Sequence, residues 1–261
     1  MASDQQLLDY LLRLADSDLI LAQRLGEWVG HGPVLEEDIA LTNVGLDLLG
    51  QARLWFAYAS EVEAREVKAR FGGAGRSEDE FAFTREGGGF RNLLLVEQPN
   101  GNYADTTARQ FYFDVWHELL LRGLAVSRDQ RIAEIAAKAL KEVMYHSERS
   151  ADWVIRLGDG TEQSHARMQS AIDDLWMYTG EMFAADDTEL ALAAEGVAGD
   201  VSALLPVWRD RVASVLDQAT LTMPSAAWMQ RGGKQGVHSE HLGHLLAEMQ
   251  SLYRAHPGAQ W

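Results

Sequence analysis

The sequence predicts an all-α fold, and three observations carry the prediction. Proline occurs only at positions 33, 99, 206, 224 and 257, which leaves long uninterrupted stretches. Those stretches are rich in Ala, Leu, Glu and Arg, residues that lose little side-chain freedom in a helix. Nowhere do Val, Ile and Thr alternate with polar residues between hairpin turns, as a half-buried strand would require.

A first helix is predicted from about Asp4 to Trp28. Leu7, Leu11, Leu14, Leu21, Leu25 and Trp28 recur at steps of three, four and seven, which places them on one helical face. Gly30, Gly32 and Pro33 end it. A second helix follows over about Leu35–Arg70. Gly45 and Gly50 interrupt it; small residues there either let a neighbouring helix approach closely or are simply tolerated.

Residues 71–102 form the longest irregular stretch, marked by Gly72, Gly73, Gly75 and the run Gly87-Gly88-Gly89. Leu93, Leu94, Leu95 and Val96 are an apolar anchor within it. Further helices are predicted over about Ala104–Val126, Gln130–Leu157 and Glu162–Phe183, the fourth closed by Gly158 and Gly160. Shorter ones are predicted near 188–195, 203–218 and 239–254. Four long helices around one core, with later helices packed outside, describe a ferritin-like four-helix bundle with additional C-terminal helices. No internal repeat and no linker divides the chain, so a single domain over 1–261 is expected.

Composition narrows the function. Hydrophobic residues make up 47% of the 261, enough for a sizeable core. A formal net charge of -16 argues against nucleic acid and against an anionic membrane surface. No apolar run is long enough to span a bilayer. The acidic start of the chain lacks a signal-peptide pattern, so a cytoplasmic location is expected. There is no cysteine, which excludes disulfides and thiolate metal sites.

A helical bundle can hold two irons when two helices each supply a Glu and the other two each supply Glu-x-x-His. The three-residue step puts both ligands on one face, about a turn apart. Here that pattern is broken. The second helix offers Asp47, but Gly50 stands where the histidine belongs. The fourth offers Glu142 and His146, one residue too far apart. The third offers Asp114 and His117 at the right spacing with a shorter acid, followed by Glu118. The first carries Asp18 and Glu27. Such polar groups in a bundle core serve as hydrogen-bonding and ion-pairing residues more readily than as ligands. Near the C-terminus His238, Glu240, His241 and His244 are clustered, and His241 and His244 share a helical face. They lack the His-x-x-x-His spacing with an internal Glu of zinc peptidases, which favours solvent-facing and packing roles. The tryptophans at 28, 55, 116, 153, 176, 208 and 228 read as core or interface anchors, and Trp261, beyond Pro257 and Gly258, as an interface residue or part of a tail.

Several blocks resemble the phenylacetyl-CoA epoxidase C-subunit family. They are RLGEWVGHGPVLEEDIALTNVGLDLLGQAR (24–53), NLLLVEQPNGNYADTTARQ (92–110), KEVMYHSERSADWVIRLGDGT (141–161), GGKQGVHSEHLGHLLAEMQSLYR (232–254) and the closing PGAQW. The resemblance runs in order along nearly the whole chain and is weakest from Phe71 to Glu80. It implies a ferritin-like fold within a multicomponent monooxygenase that epoxidises the ring of phenylacetyl-CoA. It further implies that the di-iron centre belongs to the related A subunit and that this chain carries no cofactor. NADPH, flavin and an iron–sulfur centre would serve the reductase subunit. The partners implied are the A subunit, in an obligate hetero-oligomer, and the other epoxidase subunits. The loop Gly89, Phe90, Arg91 and Asn92 is then a candidate contact for phenylacetyl-CoA, with Arg91 facing a CoA phosphate. Two readings stand against this one: a catalytic di-iron subunit in its own right, and a scaffold bundle unrelated to oxygenation.

Overall fold

A computed structural model describes residues 3–71 and 74–259, with the side chains of 66–71 outside the description. Among the described residues there are ten α-helices, short 3-10 turns and no strand, as the all-α reading requires. The chain divides into two compact units, residues 1–98 with 232–261, and residues 99–231.

In the first unit, α1 (Asp4–Gly26) and α2 (Leu35–Phe71) form an antiparallel hairpin. Their short connection turns at Gly30, whose φ of 81° suits a residue without a side chain. Ser3 starts α1 with a capping box: its hydroxyl accepts from the Gln6 N–H, and the Gln6 side chain accepts from the Ser3 N–H. A cap of this kind contributes about 1 kcal/mol. Leu8, Leu11, Leu14, Leu21 and Leu25 of α1 are buried, as are Leu41, Val44, Leu48, Ala52, Trp55, Ala59 and Val62 along α2. Each large apolar side chain so buried contributes roughly 1.5–3 kcal/mol. α1 also buries Asp16, Ser17 and Asp18, so polar residues enter its interior face beside the leucines.

The stretch predicted as irregular contains one short helix that periodicity missed, α3 (Glu78–Phe83). Ser77 and Glu80 cap it reciprocally, a signal that was present in the sequence as Ser-x-x-Glu. Gly87–Gly89 form a 3-10 turn, and Leu93, Leu94, Leu95 and Val96 are buried, as an anchor should be. The chain returns to this unit as α9 (Glu240–Met249) and α10 (Ser251–Ala255). One helix was expected over 239–254. It breaks at Gln250, whose buried side-chain amide donates to the carbonyls of Ala82 at 3.0 Å and Arg85 at 3.1 Å. Gly72, Gly73 and Trp261 lie outside the described residues.

The second unit is built on α4 (Tyr103–Leu124), against which α5 (Gln130–Gly158), α6 (Glu162–Trp176) and α8 (Leu204–Gln218) pack. A short helix, α7 (Asp187–Ala194), precedes α8. α4 and α5 form a second long antiparallel hairpin. Asn102 and Asp129 cap their N-termini. The predicted fifth helix runs too far: α6 stops at Trp176, and Gly180–Phe183 is a separate 3-10 turn. At that end the Met177 carbonyl accepts from the distant Gln230 N–H at 2.8 Å. Thr179 bonds the Trp176 carbonyl at 2.8 Å, and Met229 lies where a Cβ on Gly180 would stand, 2.5 Å from its Cγ. Tyr112, Trp176, Phe183 and Trp208 form the aromatic core. The Trp208 indole donates to the Tyr112 carbonyl at 3.1 Å, so its polar edge is satisfied inside. No helix among the described residues is long and apolar enough to cross a membrane.

Candidate functional site

Two buried polar clusters stand out, one in each unit. In the second unit α4 turns Gln110, Asp114 and His117 inward, and α5 turns His146, Ser147 and Ser150 inward; all are buried. The four-residue step from Gln110 to Asp114 stacks them on one face, and the Gln110 amide donates to Asp114 Oδ1 at 2.6 Å. Burial raises the Asp114 pKa to about 6, against the opposing pull of His146, Ser150 and Gln110. Burial, with the nearby His146, lowers the His117 pKa to about 3. The site thus holds a carboxyl that resists ionising and an imidazole that resists protonation. Glu118, on the edge of the cluster, is committed elsewhere: Arg122 donates to one oxygen at 2.9 Å and Arg211 to the other at 3.0 Å. Burial works to raise its pKa, but those two arginines overcome it and leave the carboxyl lowered.

In the first unit the loop after α3 is held by charges that are themselves buried. Arg85 pairs with Asp16 through both guanidinium ends, and its Nη1 sits 2.9 Å from Asp16 Oδ2. The same guanidinium lies 4.2 Å from the Phe90 ring centroid. Asp16 also accepts from the Arg91 N–H at 2.8 Å. Further along, Glu97 accepts from the Asn92 amide at 3.0 Å, the Ser239 N–H at 2.7 Å and His238 Nδ1 at 2.8 Å. The other His238 nitrogen faces the Phe90 carbonyl at 3.1 Å. Burial alone would lower the His238 pKa, but Glu97 and the Phe90 carbonyl prevail and hold it raised. The cluster therefore staples the segment entering α9 onto the loop before α4.

Residues 1–261 match the model of a family described as "Phenylacetic acid catabolic protein". The chain belongs to that family. It is also 51% identical over 256 residues, covering 98% of this chain and 99% of the relative, to the C subunit of the 1,2-phenylacetyl-CoA epoxidase of Escherichia coli (strain K12).

For this member of the phenylacetic acid catabolic family, the structure places each residue the sequence singled out. Asp114, His117 and His146 come together inside the second unit. Glu142 is half-buried, and the fully buried residue of that turn is Val143. Val143 is three residues before His146 on the inward stripe, so the place a liganding acid would take is aliphatic. Asp47 is half-buried on α2 in the first unit, and a Cβ added at Gly50 would meet nothing within 4 Å. Among the described residues no three His, Asp or Glu side chains are arranged to hold a metal ion together. One carboxylate and two imidazoles in the second unit do not fit a pair of irons, which requires carboxylates from four helices.

The loop Gly89–Asn92 is an internal brace. Gly89 accepts from Arg85 at 2.8 Å, and Phe90 and Asn92 are fully buried. Arg91 is partly open; its Nε donates to Asp9 at 3.1 Å and its Nη1 to the carbonyls of Gly88 and Phe90. Of the C-terminal histidines, His238 is the one drawn inward; His241 is half-buried and His244 exposed. Asp16, Arg85 and Glu97 escaped sequence reasoning. They are isolated charges far apart in the chain, with no motif to join them, and their burial is the only signal that reveals them.

Proposed function

We propose that this chain is a non-catalytic subunit of a phenylacetyl-CoA epoxidase, supporting a di-iron catalytic subunit in aerobic phenylacetate breakdown. The observation that carries the reading is Val143. A methyl-bearing side chain on the buried stripe of α5, where a second ligand to a His146-bound metal would belong, leaves that helix without its Glu-x-x-His pair. The identity to an epoxidase C subunit along nearly the full chain supports the same reading. Gly50, in place of a histidine on α2, agrees with it.

In this reading the buried carboxyl and imidazoles of α4 and α5 are a packed polar core, and the oxygen chemistry occurs on the A subunit. Electrons reach that subunit from NADPH through the flavin and iron–sulfur reductase. The chain's part is mechanical: a large rigid helical surface holds a partner's ligand-bearing helices and excludes water from its reactive centre. A cytoplasmic location suits a CoA thioester substrate. Arg91, the partly open member of the Gly89–Asn92 loop, would reach a CoA phosphate only by exchanging its contact with Asp9.

The test is to purify the chain alone and with the other epoxidase subunits, then measure bound iron and turnover of phenylacetyl-CoA. The reading expects iron and epoxidation to follow the A subunit. It also expects Glu142→Ala and His146→Ala complexes, once assembled, to keep their turnover. Stoichiometric iron and epoxidation by this chain alone overturn it.

A further inference from the structure

The second unit holds a cavity of about 240 Å³ where the end of α6, the turn Gly180–Phe183, the start of α8 and residues 229–231 meet. Its floor is aromatic: Trp176, Phe183 and Trp208 line it and are buried. The Trp208 ring centroid lies 5.8 Å from that of Trp176 and 5.2 Å from that of Phe183. Both indole N–H groups are committed inside the protein, Trp176 to the Ala226 carbonyl and Trp208 to the Tyr112 carbonyl, each at 3.1 Å. The Thr179 hydroxyl likewise donates to the Trp176 carbonyl at 2.8 Å. What the floor offers a guest is therefore ring surface rather than hydrogen bonds. Met229 adds to the wall, and the bond from the Gln230 N–H to the Met177 carbonyl holds that segment against the end of α6.

The rim is cationic. Arg209 and Arg231 line the cavity at exposed positions, and among the described residues neither has a carboxylate partner. No acidic residue lines the cavity, in a chain with 39 Asp and Glu against 23 Lys and Arg. Arg211, two residues further along α8, is instead drawn onto Glu118 at 3.0 Å. Like charges brought to one rim without a counter-ion repel each other, and an anion between them turns repulsion into attraction.

Ring surface below and positive charge above select a guest with one apolar ring and one anionic group. A guanidinium presents paired donors that match a carboxylate. The cavity is smaller than the roughly 300–1,000 Å³ of sites for drug-sized ligands, so it has room for one ring and none for a nucleotide. A whole CoA thioester does not fit. We propose that this cavity binds a small aromatic carboxylate, with its ring on Trp176, Phe183 and Trp208 and its carboxylate between Arg209 and Arg231. The site would exist whether or not the chain works as a subunit.

Isothermal titration calorimetry on the full chain tests this, with benzoate and phenylacetate as probes and acetate, benzyl alcohol and phenyl phosphate as comparisons. Arg209→Gln/Arg231→Gln removes the rim charge. Leu205→Glu sets a carboxylate one helical turn before Arg209, where it supports α8 while neutralising the rim. Arg167→Gln, at an exposed arginine of α6 outside the cavity, is the control. Circular dichroism and thermal unfolding check the fold. Wild type and the control are expected to bind one aromatic carboxylate per chain, and both rim variants to bind it about 10-fold or more weakly. Acetate and benzyl alcohol should bind wild type as weakly as benzoate binds the rim variants. No binding of either probe at millimolar concentration overturns the site, as does equal binding by wild type and a folded rim variant. Acetate held as tightly as benzoate shows an adventitious ion only and overturns it too. Benzyl alcohol held as tightly overturns the anionic class, and phenyl phosphate held more tightly overturns the carboxylate in favour of an aromatic phosphate. The ligand series decides these outcomes on wild type alone, even if a variant fails to fold.

Discussion

Asp114→Asn is the most informative single substitution in the second unit. Asp114 is fully buried and its pKa is raised from 3.8 to about 6, chiefly by burial. A folded-state value above the unfolded one means that folding favours the protonated carboxyl. That contribution is fully present below the unfolded pKa and is lost as pH rises through the folded value. From about pH 4.5 to about pH 7.5 the loss is about 2 kcal/mol, running at roughly 1.4 kcal/mol per pH unit between the two pKa values and tapering through the folded one. Asparagine keeps an oxygen for the Gln110 amide but cannot ionise. Relative to wild type, the variant should therefore be about 2 kcal/mol more favourable at about pH 7.5 than at about pH 4.5. Urea unfolding followed by circular dichroism, at matched ionic strength across that range, reads this difference directly. A variant-minus-wild-type stability that stays constant with pH would refute the claim that burial outweighs the hydrogen bonds around this carboxyl.

Three further outcomes follow from the same structure. His117 has its pKa lowered to about 3, so its stabilisation is present above the unfolded pKa near 6.5 and lost as pH falls; His117→Gln should flatten the acid side of the stability profile, read by thermal unfolding between about pH 4 and pH 7. His238 is raised, so the staple to Glu97 is strongest below the unfolded histidine pKa and weakens as pH rises through the folded one; wild type should lose more stability than His238→Gln on the alkaline side of neutrality, and equal losses would remove the charge from the account. Arg85→Ala leaves Asp16 buried without its guanidinium and opens the face of Phe90; a loss of about 3–5 kcal/mol is expected in chemical unfolding, with Arg85→Lys recovering only part because one ammonium cannot reproduce both contacts to Asp16.

Local signals in the chain specify the helices well. The leucine steps of α1, the caps at Asn102 and Asp129 and the glycines after α5 are short-range features, and the structure follows them to within a few residues. Where boundaries moved, distant residues make the contacts: the Gln230 N–H takes the Met177 carbonyl at the end of α6, and the Ala82 and Arg85 carbonyls hold Gln250 where one continuous helix was expected.

What the sequence by itself determined is therefore the helical class and the order of the long elements, since each depends on residues within a turn or two of one another. Tertiary structure alone decided that Val143 rather than Glu142 faces inward, that Glu97 meets His238 across 141 positions, and that Leu35, Ile39 and Leu46 of α2 stay exposed. Burial is a sum over neighbours from remote parts of the chain, and no local pattern encodes which charges will be enclosed or which leucines will remain outside.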